Sequence, residues 1–324
     1  MSSPLKIGSL SLNSRVLQSP LAGVTDLVFR KLVRRYSPES MIYTEMINAT
    51  ELCHLGRTQQ LINIEIEQKP IGIQIFDSRY HFMVEAAKRI EIQGAQVIDI
   101  NMGCPVNKIT KKGGGSSLLK QPKTAKKIIS EIAKAVKIPV TVKTRIGWND
   151  NTINILDFAK MMEDAGACML TIHARTRNQG YTGTPYWQWI RKIKENLLIP
   201  IIANGNIFSV EDAVKCLEMT NADGVMCSRG TLGYPFLVGE IDHFFKTGRS
   251  FATITPQQRL GCAKEHLQEL WEHKGNQGIY QGRKHLLWYC QGFPGAPELR
   301  KEIIKIQNIE EGYKLLDKSI ELCL

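Results

Sequence analysis

Eight short apolar segments alternate with amphipathic patterns along this 324-residue chain, and this alternation limits its fold more than any other feature. The segments are rich in β-branched residues and almost continuously apolar, which is typical of strands covered on both faces. They lie at residues 15–19, 41–45, 70–75, 97–101, 139–145, 168–173, 199–203 and 224–228. Apolar residues at helical spacing separate most of them, as at 80–93, 122–136 and 155–164.

Eight strand–helix units favour a (β/α)8 TIM barrel in the α/β class. A doubly wound dinucleotide-binding sheet is disfavoured because no GxGxxG motif follows the first strand. The alternating segment 7–13 predicts a hairpin that closes the lower end of the barrel. After about residue 250 only helical spacing continues. We therefore predict a catalytic barrel domain at 1–253 and a small all-helical domain at 254–324.

Basic residues outnumber acidic ones by 42 to 31, which gives a formal net charge of +11 and favours a polyanionic partner. Much of this charge lies between residues 106 and 137, where Glu131 is the one acid among nine lysines. These lysines predict a track for a phosphate backbone, and an ordinary solvated helix face is the alternative. The lysines are at positions 108, 111, 112, 120, 123, 126, 127, 134 and 137.

Polar residues collect where the predicted strands end, which is the face that carries catalysis in such barrels. The turns after the last two strands offer glycines, backbone N–H groups and a guanidinium, and these predict a phosphate site. Tight turns without a ligand are the alternative. The residues of these two turns are Asn204, Gly205, Asn206, Ser228, Arg229 and Gly230.

Lys143 and His173 end neighbouring strands and are predicted to point into the barrel mouth. A cation there can stabilise negative charge on a reduced flavin ring, and the amides of Gln74 and Asn101 suit a planar heterocycle. Cys104 follows Asn101 on a loop shaped by glycine and proline, and its thiol can donate a proton or act as a nucleophile. The alternatives are a snorkelling lysine, a core histidine and a small buried cysteine.

Basic and aromatic residues interleave at 282–289, where Arg283 and Lys284 precede Trp288. Such a helix suits an RNA surface. A packed tryptophan beside solvated cations is the alternative interpretation.

Taken together, these motifs resemble the bacterial tRNA-dihydrouridine synthase family over about residues 17–315. NMGCP at 101–105, followed by Lys108 and GGGSSLL at 113–119, is the most specific part. SPLAGVTD at 19–26, VKTRIG at 142–147, IHARTR at 172–177 and IANGN at 202–206 follow the family pattern. The helical tail, with RKH at 283–285, resembles the bacterial members.

The resemblance implies that Cys104 gives a proton to C5 of a D-loop uridine while reduced FMN gives hydride to C6, which forms 5,6-dihydrouridine. It implies that Asn101 and Arg145 face the uracil, and that Lys108, Lys111, Lys112, Arg283 and Lys284 contact tRNA. Asn206 stands where an acid is common in the family. The flavin contacts implied are Ser19, Pro20, Gln74, Lys143, His173, Asn204, Gly205, Asn206, Ser228, Arg229 and Gly230.

The implied reductant is NADPH or NADH, and the implied partner is tRNA, with no membrane, metal or stable protein partner. Eight cysteines without a CxxC pair, and an N-terminus without an apolar signal core, lead us to expect the cytoplasm. Two other functions stay open at this point. One is a flavin barrel enzyme that acts on a small molecule, such as a dihydroorotate dehydrogenase-like oxidoreductase, and the other is a non-catalytic RNA-binding module.

Overall fold

The chain folds around a closed ring of eight parallel strands, as seen in a computed structural model that describes residues 4–54 and 69–322. The first strand of the ring pairs with the last, and this pairing closes the sheet. The structure therefore confirms the predicted (β/α)8 barrel. In ring order the strands are β3 (Val16–Gln18), β4 (Ile42–Tyr43), β6 (Ile71–Phe76), β7 (Val97–Met102), β8 (Val140–Gly147), β9 (Met169–Thr176), β10 (Ile201–Asn204) and β11 (Gly224–Cys227).

Within the described residues, three short strands lie outside this ring: β1 (Leu5–Ile7), β2 (Leu10–Leu12) and β5 (Ile47–Asn48). The first two form an antiparallel hairpin, and the third pairs in parallel with the carboxyl end of β6. Side chains of the hairpin pack against Leu17, Met169 and other inward-facing residues at the lower end of the ring, that is, the end where the strands begin. The upper end is the one where the strands finish. The hairpin predicted to close this end is therefore present, and its first strand starts two residues earlier than expected.

The helices cover the outside of the ring and then continue beyond it. Those associated with the barrel are α1 (Leu27–Tyr36), α2 (Ala49–His54), α3 (Tyr80–Ile92), α4 (Asn107–Thr110), α5 (Pro122–Ala135), α6 (Ile155–Asp164), α7 (Trp187–Asn196), α8 (Val210–Thr220) and α9 (Leu237–Thr247). Short 3-10 helices occur at Gly115–Lys120, Asp150–Thr152 and Arg229–Thr231. The remaining helices are α10 (Pro256–Lys274), α11 (Asn276–Tyr289), α12 (Ala296–Ile303) and α13 (Ile309–Leu322).

Helix α5 shows how the sequence pattern produces this outer layer. Proline begins the helix, where its missing N–H costs no hydrogen bond, and Ala125, Ile128, Ile129 and Ile132 form the buried face. The lysines between them are exposed on the other face. Because the helix runs antiparallel to the strands, Lys123 lies near the upper end of the barrel and Lys134 near the lower end.

The last four helices have a core of their own, which includes Leu260, Leu267 and Leu286. That core also takes in Leu32 of α1 and Phe236, so it joins the helices to the side of the barrel. Thr255 caps the first of these helices by accepting from the Gln258 backbone, as a threonine before proline predicts. In the described residues, no helix has the length and apolar character needed to cross a membrane.

Candidate active site

The carboxyl ends of the ring strands surround a cavity of about 500 Å³, a volume within the ordinary range of small-molecule sites. Most of the residues predicted from the sequence as site residues meet here. Lining the cavity are Ser19, Pro20, Asn101, Cys104, Lys143, Arg145, His173, Asn204, Gly205, Asn206, Ser228, Arg229, Gly230 and Lys284. Of the other predicted residues, Gln74, Lys108, Lys111, Lys112 and Arg283 are not among its lining.

Cys104 lies on a loop whose backbone is bonded on both sides. Its N–H donates to Asn101 Oδ1 at 2.9 Å, and its carbonyl accepts from Ser116 N at 3.0 Å and Ser116 Oγ at 2.9 Å. Gly115 has φ +58°, and a β-carbon there would meet the Cys104 carbonyl oxygen at 2.7 Å. Glycine is therefore required at this contact, where the GGGSS segment packs against the cysteine loop and hydrogen-bonds to it.

The thiol of Cys104 keeps its proton. Burial raises the pKa of Cys104, and the Val106 backbone N–H and the nearby cations Arg145 and Lys143 oppose that rise only in part. A thiol that is neutral at physiological pH can donate a proton to a substrate atom, whereas a thiolate cannot.

Lys143 extends from β8 to β10 inside the cavity. Its Nζ donates to Asn204 Oδ1 on β10 at 3.0 Å, and Asn204 Nδ2 donates to the Met226 carbonyl at 2.8 Å and to Ser228 Oγ at 3.0 Å. Burial, with Arg145 as a second cation, lowers the pKa of Lys143 to about 8, although Asp99 acts to raise it. The hydrogen bond to Asn204 therefore fixes the position of the ammonium, and the lowered pKa means that it loses its charge above about pH 8.

Gln74, predicted as a flavin contact, lies one residue layer below the cavity. It is 1% exposed, and its Nε2 donates to Asp99 Oδ2 at 2.6 Å. Its Oε1 accepts from Asn101 Nδ2 at 2.8 Å. The side chain thus has both of its polar ends occupied by protein groups.

Arg145, expected to face the uracil, is 1% exposed and directs its guanidinium to backbone carbonyls. Nε donates to Gly103 O at 2.8 Å, and Nη1 donates to Thr176 O at 2.9 Å and Gly180 O at 2.7 Å. Arg145 therefore ties the cysteine loop to the loop that follows β9. It still borders the cavity, so its contact with the substrate stays a prediction.

The opposite side of the cavity is strongly cationic. His173 is buried, and its pKa lies well below the ordinary value because of burial and then the four neighbouring cations Arg145, Lys143, Arg175 and Arg229. Its ring is therefore neutral. Arg175 Nη1 lies 3.4 Å from His173 Nε2, while Arg175 Nη2 donates to Asn206 Oδ1 at 2.9 Å.

Two turns complete this side. In the first, Asn206 has φ +56° and Gly205 has φ +125°, and a β-carbon on Gly205 would lie 3.2 Å from His173 Cδ2. In the second, a β-carbon on Gly230 would lie 2.4 Å from the Ile207 carbonyl oxygen, so this glycine lets the two turns touch. Asn206 Oδ1 also accepts from Arg229 at 3.4 Å.

In the part of the chain that the structure describes, none of Lys143, Arg145, Arg175 and Arg229 forms a salt bridge, and only Lys143 has a carboxylate, Asp99, near enough to shift its pKa. Buried cations are costly unless an anion compensates them. The arrangement therefore fits a ligand with concentrated negative charge, such as a phosphate ester.

Sequence reasoning missed several residues of the site. Asp99 interrupts the apolar pattern of β7 and faces the barrel interior, and this interruption was the available signal. Arg175 follows His173 by two residues, so it points to the same face of β9. Tyr181 gave no sequence signal, because its place between Arg145 and Arg229 depends on the loop after β9; its ring centroid lies 5.4 and 5.2 Å from the two guanidinium carbons.

The predicted RNA-contacting residues fall into three places. Lys108 and Lys112 line a second cavity, which lies beside the main one on the same side as Cys104. Lys111 is exposed next to them. Lys284 reaches the Gly23 carbonyl at the rim of the main cavity, next to Trp288. Arg283 instead donates through Nε to the Ile306 carbonyl at 2.9 Å, so part of its guanidinium holds the helical region together.

The lysines of residues 106–137 do not form a single surface. Lys108, Lys111 and Lys112 lie at the upper face, but Lys137 lies at the lower end, where its N–H donates to Glu91 at 2.6 Å just before β8 begins. A track for a phosphate backbone can therefore use only the first part of this segment.

A family model described as dihydrouridine synthase matches residues 17–322. The chain belongs to the dihydrouridine synthase family. A probable tRNA-dihydrouridine synthase 1 from Synechocystis sp. is 62% identical over 99% of this chain and 91% of its own length. A tRNA-dihydrouridine synthase B from Pseudomonas aeruginosa is 37% identical, with coverage of 95% and 93%. The resemblance predicted from the sequence motifs is thus confirmed.

Among solved structures, histamine dehydrogenase from a Rhizobium species matches with a TM-score of 0.56. The two are 15% identical, and the match covers 82% of this chain and 50% of that chain. This likeness supports the barrel fold of the dihydrouridine synthase chain.

Proposed function

We propose that this chain is a flavin-dependent oxidoreductase that reduces a D-loop uridine of tRNA to 5,6-dihydrouridine, with NADPH or NADH as the source of electrons. The observation that carries the proposal is one cavity in which the Cys104 thiol lies together with a cluster of cations that form no salt bridge within the described residues. Family membership and the names of the relatives supply the reaction class.

The residues present fit flavin mononucleotide. Arg175, Arg229 and the two turns would hold its phosphate, because they combine positive charge with backbone N–H groups. Lys143, on the floor between the two sides, would take the ring edge where negative charge develops on reduction. Ser19, Pro20 and Asn204 border the same space. In that position the flavin would supply hydride to C6 of the uracil ring.

The remaining chemistry belongs to the chain itself. Cys104 would hold its proton until C5 becomes basic and would then donate it. Arg145 and Asn101 would hold the cysteine loop in a fixed position at the edge of the cavity, since both form hydrogen bonds to the loop's backbone. His173, being neutral, would act as a hydrogen-bonding group and leave the positive charge to its neighbours.

The tRNA would approach the upper face of the barrel. Lys108, Lys111 and Lys112 lie there on one side of the mouth, and Lys284 lies on the other. A uridine must leave its stacked position in tRNA to enter such a cavity, at a cost of a few kcal/mol, which phosphate contacts can offset. The helical region at 254–324 would serve as the second contact surface for tRNA.

The test uses the purified full-length protein. We expect it to be yellow, and to form dihydrouridine in tRNA from a strain that lacks the corresponding gene when NADPH is added, as measured by nucleoside mass spectrometry. Reduction of free uridine or orotate while tRNA stays unchanged would instead favour an enzyme for small molecules. A colourless protein that binds tRNA without reducing it would favour a non-catalytic RNA-binding module.

A further inference from the structure

Below the cavity, a buried carboxylate is connected to the cysteine loop by two side-chain amides. Asp99 Oδ2 accepts from Gln74 Nε2 at 2.6 Å, and Gln74 Oε1 accepts from Asn101 Nδ2 at 2.8 Å. Asn101 Oδ1 then accepts from Gly103 N at 3.1 Å and from Cys104 N at 2.9 Å. We call Asp99, Gln74 and Asn101 the amide relay.

The direction of this relay is set at its buried end. An ionised carboxylate can only accept hydrogen bonds, so it requires the NH2 group of Gln74 to face it. The oxygen of Gln74 must then face outward, where it can accept only from the NH2 group of Asn101. That leaves the Asn101 oxygen facing the loop. If either amide were reversed, two oxygens or two N–H groups would oppose each other at hydrogen-bond distance.

Packing alone does not explain an acid at position 99. The side chain is 1% exposed, and it lies two residues after Val97 on the same face of β7, where Val97 belongs to the apolar cluster of the lower barrel. Burying a carboxylate costs several kcal/mol, and an apolar residue of similar size is often at least as stable. The cost is offset only in part, by Gln74, by Thr141 Oγ1 at 2.6 Å and by the charge of Lys143.

From this geometry we infer that Asp99 is a positioning residue which, through Gln74 and Asn101, fixes the backbone N–H groups of Gly103 and Cys104 and so the place of the Cys104 thiol. The inference rests on the proposed function, in which that thiol is the proton donor. It adds a role for a residue that does not border the cavity. Gln74 acts in the relay as an oriented spacer between the carboxylate and Asn101.

The test compares three variants of the relay with one control. Asp99→Asn keeps the direction, because its oxygen can accept from Gln74 while its NH2 donates to Thr141. Asp99→Leu fills the space but removes the acceptor, and Gln74→Leu breaks the relay while the carboxylate stays. Thr141→Val is the matched control, since it removes a 2.6 Å hydrogen bond to the same carboxylate outside the relay.

The first readout is alkylation of Cys104 by iodoacetamide, followed by peptide mass spectrometry across pH 7–10 in the full chain, with flavin content recorded for each variant. With the loop released, the thiol should become more exposed. We expect alkylation about tenfold faster in Asp99→Leu and Gln74→Leu, with the apparent pKa moved down toward its ordinary value. Asp99→Asn and Thr141→Val should stay within about twofold of the unaltered chain.

Unchanged alkylation in both leucine variants, with a native circular dichroism spectrum, would overturn the inference. So would equal effects of Asp99→Leu and Asp99→Asn, because that would show a need for the charge and not for the relay's direction. If Asp99→Leu does not fold, Gln74→Leu decides the outcome alone. The second readout is kcat for tRNA reduction: fast alkylation with unchanged kcat would support the relay and refute the proton-donor role of Cys104.

Discussion

The two sides of the cavity are built by different means. The side formed by Asn101, Cys104 and the supporting Ser116 is here called the thiol wall. It is fixed by hydrogen bonds to backbone groups and presents a neutral thiol that can donate its proton. The side formed by β9 and the turns at 204–206 and 228–230 is here called the cationic wall. It presents positive charge that no carboxylate of residues 4–54 or 69–322 pairs in a salt bridge. One wall is suited to place a single atom, and the other to attract an anion.

Because they are built differently, the two walls should fail separately. A change in the thiol wall should affect proton donation and leave anion binding intact. A change in the cationic wall should weaken binding of the cofactor while the thiol keeps its properties. The sheet order supports this separation, because β7 and β11 lie on opposite sides of the closed ring.

The largest effect is expected from Cys104→Ala. Loss of a general acid typically lowers a rate by about 10²–10⁴-fold, so dihydrouridine formation should fall by about three orders of magnitude. Flavin absorbance should be unchanged, because the cationic wall is intact. Nucleoside mass spectrometry measures the first quantity and visible absorbance the second.

Cys168→Ala is the control for this prediction. Cys168 lies at the lower end of the barrel, beside Gly8 of the hairpin turn, and should not affect turnover. Near-normal reduction of tRNA by Cys104→Ala would remove the distinction between the walls, because the thiol wall would then have no chemical task.

The cationic wall is tested by Arg229→Gln. A hydrogen bond to a charged group contributes about 1.5–3 kcal/mol, so the Kd for FMN should rise by about 10–100-fold. Riboflavin, which lacks the phosphate, is the matched ligand, and its Kd should change by less than about twofold. Fluorescence titration measures both. An equal loss for FMN and riboflavin would mean that Arg229 does not face the phosphate.

The exposed lysines beyond the thiol wall should contribute to tRNA affinity. Replacing Lys108, Lys111 and Lys112 together by alanine should weaken binding about tenfold and lower the slope of log K against log salt by about 2–3. The matched control replaces Lys126, Lys134 and Lys137, which lie farther down the same segment. Filter-binding titrations at several salt concentrations measure both triple variants, and equal losses would show that the segment acts through its net charge alone.

The smallest expected effect is a pH dependence at the boundary between the walls. The pKa of Lys143 is lowered to about 8, so the ammonium is present below that pH and is lost above it. Affinity for FMN should therefore fall several-fold between pH 7 and 9. The pKa of Arg145 is lowered only to about 10, and His173 is already neutral, so neither accounts for a change in this range.

Lys143→Met is the control for that titration. Its FMN affinity should be lower at pH 7 and nearly constant to pH 9. A variant that retained the pH dependence would show that another group titrates, and the assignment of Lys143 to the flavin ring would be wrong.

The fold was predictable because its signals are local. Apolar runs and helical spacing mark each strand and helix in turn, and closure of the ring follows from their number. Strand lengths were less predictable: β8 runs to Gly147 and β9 to Thr176, beyond the apolar segments, because the two strands pair with each other past their apolar parts. Conversely, β4 is reduced to Ile42–Tyr43.

The site was predictable as a set of residues, but less so as a set of contacts. Glycine turns and polar strand ends identify the members of both walls from sequence alone. What Arg145, Arg283 and Gln74 contact depends on carbonyls and amides contributed by distant segments, such as Ile306 for Arg283. No local pattern contains that information. The sequence therefore assigns these cationic and amide side chains to ligands, whereas the protein's own groups take up part of their hydrogen-bonding capacity.

The hairpin β1–β2 has a kinetic consequence. Because Leu5, Ile7 and Leu12 seal the lower end of the ring, reactants reach the interior from the upper end. Under the proposed function, the nicotinamide and the nucleotide base would use the same entrance, so one would have to leave before the other could bind. Initial-rate plots at several concentrations of each should then give parallel lines, as in a double-displacement mechanism.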